Sequence, residues 1–145
     1  MQAKIKLLYE DSKMPTKANP ADIGWDVYIH SIIYDEEKLY HRLKFGIAIT
    51  PPDGYFFELI PRSSFSNSGF VMANKLGVID PQYTGELEMR VRKINQVPGF
   101  DFQEEERVAQ LVLRKIEDKN LQWNIVDDLD ITNRNKGGFG SSGKF

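Results

Sequence analysis

The chain has 145 residues, of which 41% are hydrophobic and 12% aromatic, a composition that allows a single domain with a sizeable core. Its 19 basic and 21 acidic residues leave a formal net charge of −2, which argues against nucleic-acid and membrane-surface partners. With no cysteine, no signal-peptide pattern and no apolar run of membrane-spanning length, the sequence predicts a soluble intracellular protein of the cytoplasm.

Short runs rich in β-branched and aromatic residues recur between clusters of proline, glycine and polar residues. Because these runs mostly alternate in polarity, they predict β-strands. The clearest runs, in chain order, cover residues 5–9, 25–29, 46–50, 55–60, 87–91, 108–113 and 121–126. Many short strands separated by regular turn signals favour an all-β sandwich, jelly roll or barrel.

Signals for turns and helices are fewer. The segment Pro51-Pro52-Asp53-Gly54 predicts a turn between two antiparallel strands, because proline presets φ and glycine accepts a positive φ. No window of helical length carries a sustained apolar stripe of period 3.6, and the best short helix candidate is residues 63–68.

The last segment, residues 133–145, is dominated by glycine, serine and charge and has too little apolar surface to fold alone. We therefore predict a β domain at 1–132 and a flexible C-terminal arm at 133–145. A frayed terminus is the plain alternative, but Arg134, Phe139 and the glycines suit a strip that clamps a phosphorylated ligand with a ring. The spacing of residues 138–144 also matches a P-loop, which we reject because Phe145 replaces the Mg²⁺-binding Ser or Thr.

Two segments place polar groups where strands end. Arg62, Ser63 and Ser64 follow an apolar strand, so a guanidinium and two hydroxyls can form an anion-binding nest. An ordinary strand end with a serine N-cap is an equal alternative. Asp80 ends another apolar run before a turn that contains Tyr83, where its carboxylate can face a water molecule. Taken alone, an Asp-Pro turn with a packed tyrosine is the simpler interpretation of that segment.

Two further polar residues, Asp26 and Gln110, interrupt apolar strands. Each of them alone is explained by a half-buried amphipathic strand. The two histidines, His30 and His41, fit no metal-binding spacing, and we assign both to structure.

Taken in order, these segments resemble the five motifs of the trimeric dUTP pyrophosphatase family. The matching stretches are residues 21–28, 61–69, 77–85, 107–111 and 134–143. The resemblance spans nearly the whole chain and implies a jelly-roll-like β subunit that forms a homotrimer. It also implies hydrolysis of dUTP to dUMP and pyrophosphate, which limits uracil incorporation into DNA and supplies dUMP for dTMP synthesis.

The resemblance implies that Asp80 orients and deprotonates the water that attacks the α-phosphorus. The implied phosphate ligands are Arg62, Ser63, Ser64 and Gln110 of the β domain, with Arg134, Ser141 and Ser142 from the arm of another subunit. Mg²⁺ would be chelated mainly by the phosphates, and Asp26 would contact only its water ligands, so that no direct protein ligand is expected.

The third motif would hold the base and the sugar. The implied contacts are Asn74, Gly77, Val78, Ile79, Tyr83 and Glu88, with Phe139 and Gly140 of the arm. Backbone groups at 77–79 would read the uracil edge beside a wall too close for the methyl of thymine, and cytosine would leave buried polar groups unpaired. Tyr83 would pack under the deoxyribose and exclude a 2′-hydroxyl, while Phe139 would stack on the uracil as the arm closes.

Three places depart from the family pattern. Ser64 stands where the second motif often has glycine. Glu105 stands where a glycine usually permits a left-handed turn, a conformation that costs other residues roughly 1–2 kcal/mol unless the turn is reshaped. Asn135 and Lys136 replace the small residues that are common after the arm arginine.

Two other functions remain open. A dCTP deaminase would share the fold and an Arg-Ser-Ser segment, but Tyr83 and Phe139 favour the pyrophosphatase. A non-catalytic nucleotide-binding regulator would bind a protein partner, but it would need neither Asp80 nor a complete arm.

Overall fold

A computed structural model of the chain describes residues 1–94, 102–118 and 120–145. The strands are β1 Lys4–Leu7, β2 Trp25–Val27, β3 Ser31–Asp35, β4 Tyr40–Lys44, β5 Ile47–Thr50, β6 Tyr55–Pro61, β7 Phe70–Met72, β8 Gly77–Ile79, β9 Glu88–Lys93 and β10 Ala109–Lys115. A short 3₁₀ helix spans Ser63–Asn67, within the segment predicted as the best helix candidate. Across the described ranges, no helix has the length and apolarity needed to cross a membrane.

The strands form two four-stranded antiparallel sheets and a two-stranded one. The strand orders are β2-β10-β6-β8, β3-β4-β9-β7 and β1-β5. Both large sheets contribute to one hydrophobic core, in which Leu59 and Leu111 of the first sheet and Leu43 and Met89 of the second are all at most 2% exposed. The all-β fold predicted from alternating polarity is therefore confirmed.

Six of the seven predicted strands form, with shifts of a few residues at their ends. The seventh prediction, at residues 121–126, is wrong for the isolated chain, because that segment pairs with no strand in the described residues. Its Trp123 and Ile125 are 90% and 97% exposed. Strands β3, β4, β7 and β8 were not among the predicted runs, partly because β4 carries three polar residues in five.

The turn at 51–54 forms, but the strands on either side of it do not pair with each other. The Tyr55 backbone N–H donates to the Pro52 carbonyl at 3.1 Å, and Gly54 has φ 82°. However, β5 pairs only with β1, whereas β6 pairs with β10 and β8 within the described residues. The prediction of a turn is thus confirmed and that of antiparallel partners is wrong, since two prolines cannot donate the ladder hydrogen bonds that a hairpin needs.

Glu105 keeps the left-handed conformation expected of a glycine, with φ 69°, so the turn is not reshaped. Its backbone N–H donates to the Ile29 carbonyl at 2.6 Å, and its carboxylate pairs with Lys13 at 2.9 Å. This turn leads directly into the strand that carries Gln110.

We expect Glu105→Gly to be more stable than Glu105→Ala by roughly 1 kcal/mol, because both lose the Lys13 pair but only alanine pays the cost of positive φ. Urea unfolding of the two variants at equal protein concentration measures this difference. Equal stabilities would mean that the left-handed turn is not strained.

Candidate functional site

A first cavity forms where β2, β10 and the end of β6 meet. Strand β10 lies between the other two, so that Gln110 faces Asp26 on one side and Ile60 on the other, and Arg62 follows the end of β6. The cavity has a volume of about 280 Å³, and its lining residues are Ala18, Asp22, Ile23, Gly24, Asp26, Arg62, Ser63 and Gln110. Four of the residues expected to contact phosphate or the waters of a metal are therefore brought together.

The charge in this cavity centres on Asp26, which is only 7% exposed. One carboxylate oxygen accepts from Arg62 Nε at 3.0 Å, and the other accepts from Arg107 Nη1 at 3.3 Å. Arg62 also donates from Nη1 to the Arg107 carbonyl at 3.0 Å. Two guanidinium groups thus surround the Asp26 carboxylate. Arg62 brings a positive charge into the cavity lining, where it can meet an anionic ligand, and Asp22 adds a second carboxylate.

Sequence reasoning gave no role to the side chain of Arg107, although it opens the fourth motif. It also gave none to Asp22, which lines the cavity and accepts from the backbone N–H of Asn19 at 2.8 Å. In the sequence, only their position inside matching motifs pointed to these two residues. The ion pair between Asp26 and Arg107 could not be expected, because it depends on the pairing of β2 with β10.

The absence of a side chain at Gly24 shapes the same cavity. A Cβ atom placed there would lie 1.8 Å from Oε1 of Gln110 and 2.7 Å from its Cδ. Gly24 therefore leaves the space that the Gln110 amide occupies at the wall of the cavity.

A second cavity, of about 230 Å³, lies beside β8. Its lining residues are Leu59, Met72, Asn74, Gly77, Val78, Ile79, Asp80, Tyr83, Leu87 and Glu88, which include all the base and sugar contacts expected outside the arm. Strand β8 pairs with β6 along one side and ends its sheet, so its other side has no neighbouring strand in the described part of the chain. Backbone groups on a free strand edge can bind a ligand directly.

The loop after β8 places Asp80 and Tyr83 together. Asp80 is exposed at the end of the strand, and its carbonyl accepts from the Tyr83 backbone N–H at 3.0 Å. The Tyr83 hydroxyl donates to the Glu86 carbonyl at 2.8 Å. The ring lies so close to Gly85 that an added Cβ would be 2.6 Å from the hydroxyl oxygen.

Glu88 lines the second cavity, but its carboxylate is already bound by two arginines. Arg42 and Arg90 each approach it to 2.7 Å. Burial raises the pKa of Glu88, yet the hydrogen bonds from Arg42 and Arg90 outweigh this effect and hold the pKa below its ordinary value. A sugar hydroxyl that binds Glu88 would therefore compete with Arg42 and Arg90 for the carboxylate.

The arm residues lie away from both cavities in the isolated chain. The cavities have no lining residue from 133–145, and Ser64, on the 3₁₀ helix, lines neither of them. Arg134 donates from Nε to the Gly137 carbonyl at 2.8 Å, and Phe139 is fully exposed. The expected arm contacts, Arg134, Phe139, Gly140, Ser141 and Ser142, are therefore not joined to the site within one copy of the chain.

Comparisons with known proteins point to one family. The family model described as dUTPase matches residues 10–143. The chain is 36% identical over 149 residues to the deoxyuridine 5′-triphosphate nucleotidohydrolase of Orientia tsutsugamushi (strain Boryong), with 99% of each chain covered. It is 34% identical to the Kluyveromyces lactis protein of the same name, covering 97% of this chain and 93% of that one.

Solved structures give a similar result for the fold. A dUTPase of Staphylococcus bacteriophage 80alpha, determined with dUpNHpp, superposes with a TM-score of 0.78 at 22% identity, and 99% of each chain is covered. At this level of identity the likeness concerns the fold alone, and it agrees with the predicted jelly-roll-like subunit.

Proposed function

The chain belongs to the dUTPase family, and from this premise we propose that it is a dUTP diphosphatase that hydrolyses dUTP to dUMP and pyrophosphate. The observation that carries the proposal is the cavity beside β8, where a free strand edge, Asp80 and Tyr83 meet. A backbone edge suits a base with donors and acceptors in fixed order, and a carboxylate at its end suits a water molecule. Acting in the cytoplasm, the enzyme would limit uracil incorporation into DNA and supply dUMP for dTMP synthesis.

Asp80 would accept a proton from the water that attacks the α-phosphorus, and pyrophosphate would leave on the opposite side. The guanidinium of Arg62, which lines the first cavity, supports binding of the phosphate chain there. Ser63 and Gln110 line that cavity, and Ser64 would join them from the 3₁₀ helix.

The base would bind along the free edge of β8, where main-chain groups of residues 77–79 and the amide of Asn74 distinguish uracil from cytosine by donor and acceptor order. The apolar side chains of Leu59 and Met72 line the same cavity. An apolar wall of this kind, packed against the base, would exclude the thymine methyl. Tyr83 would lie under the deoxyribose and exclude a 2′-hydroxyl, and the paired carboxylate of Glu88 would line this subsite.

A magnesium ion would supply positive charge that neutralises the phosphates during transfer. The residues of the first cavity fit it, because Asp22 and Asp26 place two carboxylates beside the expected phosphate ligands. Asp26 is the residue that would accept hydrogen bonds from the water ligands of the ion, while Arg62 and Arg107 limit its free negative charge. No direct protein ligand is proposed.

The arm would act on the site of another subunit in a homotrimer. Association is supported by the segment before the arm, where Trp123, Ile125, Leu129 and Ile131 are 86–97% exposed. A mostly apolar cavity of about 260 Å³, lined from β1, β2, β5, β6 and β10, offers a surface of matching character. Light scattering after size-exclusion chromatography should therefore give the mass of three chains, and a monomer would oppose this part of the proposal.

The experiment that tests the function is an assay of pyrophosphate release from each deoxynucleoside triphosphate and from UTP, with Mg²⁺ present. We expect dUTP to be hydrolysed with strong preference over the others. Ammonia and dUTP appearing from dCTP would show a deaminase instead. Binding of dUTP without release of pyrophosphate would support a non-catalytic regulator.

The space at Gly24 yields a prediction for this reaction. We expect Gly24→Ala to raise the KM for dUTP about tenfold, because the new methyl group displaces the Gln110 amide from the phosphate cavity. Steady-state kinetics of Gly24→Ala, Gln110→Ala and the double variant measure this. If the two changes act on one group, the double variant is no worse than the poorer single one, and additive losses would contradict the explanation.

A further inference from the structure

Glu86 links the loop after β8, which carries Asp80 and Tyr83, to β4 of the other four-stranded sheet. It is the last residue of the 80–86 loop, just before Leu87 and β9, and its side chain is only 12% exposed. One carboxylate oxygen accepts from the backbone N–H of Gly46 at 3.0 Å, and the other pairs with Lys44 Nζ at 2.7 Å. Lys44 ends β4 and Gly46 lies in the connection to β5, so the carboxylate fixes the end of the loop to a well-ordered part of the fold.

The backbone N–H of Gly46, which donates to Glu86, is itself held in place. Gly46 has φ 68°, and an added Cβ would lie 2.7 Å from Oγ of Ser12 and 3.0 Å from the ring of His30. The Ser12 hydroxyl donates to the Gly46 carbonyl at 2.7 Å. The backbone N–H that meets Glu86 is therefore held on several sides and gives a fixed reference point for the loop.

The main chain of Glu86 meets Tyr83 directly. The Tyr83 hydroxyl donates to the Glu86 carbonyl at 2.8 Å, and the bare Cα of Gly85 leaves room for the ring. Side chain and carbonyl of the same residue thus link Tyr83 to the β4–β5 connection. The hydrogen bond that Lys44 donates to Glu86 also raises the pKa of Lys44, which keeps that partner charged.

We propose that Glu86 is a positioning residue that fixes Tyr83 beneath the sugar and so sets the preference for a deoxyribonucleotide over a ribonucleotide. The inference rests on the proposed function, because it concerns the sugar subsite of that reaction. Without the anchor, the loop end and the Tyr83 ring can shift enough to admit a 2′-hydroxyl. A shift of this kind alters selectivity without removing Asp80 from the site.

The test compares kcat/KM for dUTP and for UTP in the unchanged chain and in variants. We expect Glu86→Ala to lower the dUTP-to-UTP ratio about tenfold. Glu86→Gln should retain most of the ratio, because its amide oxygen can still accept from Gly46, and it serves as the milder change if the alanine variant folds poorly. The matched control is Asp35→Ala, which removes a carboxylate that accepts from the N–H groups of Glu37 and Lys38 at the far end of β3. We expect this control to leave the ratio unchanged.

A double-mutant cycle that combines Glu86→Ala with Tyr83→Phe distinguishes positioning of the Tyr83 ring from a general loss of order in the loop. If Glu86 acts through the Tyr83 hydroxyl, the double variant has the same ratio as the lower of the two single variants. The inference is overturned by additive losses, by an unchanged ratio in Glu86→Ala, or by an unchanged chain that hydrolyses dUTP without preferring it to UTP. In each of those cases dUTP hydrolysis by the unchanged chain still supports the proposed function. A chain that does not hydrolyse dUTP overturns both.

Discussion

Asp80→Asn should lower kcat for dUTP by about a thousandfold and leave nucleotide binding nearly intact, because it removes the base and keeps the shape of the side chain. Asp80 is exposed at the end of β8, beside the cavity expected to hold the base, so its replacement disturbs no core contact. Steady-state release of pyrophosphate measures the loss. Calorimetric titration with dUpNHpp, the nucleotide bound by the bacteriophage dUTPase, measures retained binding.

The matched control for this prediction is Asp53→Asn, another exposed aspartate in a turn next to a strand. It lines neither of the two cavities and should leave both kcat and binding unchanged. Turnover like that of the unchanged chain in Asp80→Asn would remove Asp80 as the base. Loss of binding together with turnover would instead assign it to holding the ligand.

Deletion of residues 133–145 should preserve the proposed homotrimer but lower kcat/KM for dUTP by about a hundredfold or more, because Arg134 and the arm glycines are proposed to stabilise charge on the phosphates. The hydrogen bonds described for the arm join residues three apart, as from Gly137 to Arg134 at 2.9 Å, so its removal breaks no hydrogen bond to the sheets among the described residues. Kinetics and light scattering on the same sample measure activity and assembly together.

Two phenylalanines of the arm allow a single-residue test of its role with a matched control. Phe139 and Phe145 are both fully exposed, so replacing either by alanine costs no buried area in the isolated chain. We expect Phe139→Ala to weaken dUTP binding and Phe145→Ala to leave it unchanged, since only Phe139 is assigned to stacking on uracil.

If the chain that lacks residues 133–145 loses its trimeric state, the arm is a structural strap and not a closing lid.

The parts of the fold that sequence predicted best are the strands with one clearly buried face. Strand β10 alternates as expected, with Ala109 and Leu111 buried and Gln110 half-buried between them. Strand β4 escaped prediction because its polar residues are satisfied across strands, as where Arg42 meets Glu88 of β9 at 2.7 Å. Such pairs depend on the tertiary arrangement and leave no periodic signal in one segment.

In the candidate site too, local features could be predicted from the sequence, whereas contacts between distant segments could not. Turn chemistry at strand ends made Asp80, Tyr83 and Arg62 candidates, and the resemblance to the dUTP pyrophosphatases supplied the roles expected of them. The double pairing of Asp26 with Arg62 and Arg107 could not be predicted, because it requires the register of β2 on β10 and the end of β6. Contacts of the arm could not be read from one chain either, since they are proposed to form with another subunit.

The free edge of β8 also bears on how the protein behaves in solution. An unpaired strand edge is a template on which another chain can add a strand, and β8 limits that risk by being only three residues long. If uracil binds along this edge, the nucleotide occupies the same main-chain groups that a misplaced strand would use. Substrate would then act as a shield against aggregation, and a nucleotide-free preparation would be the form most prone to it.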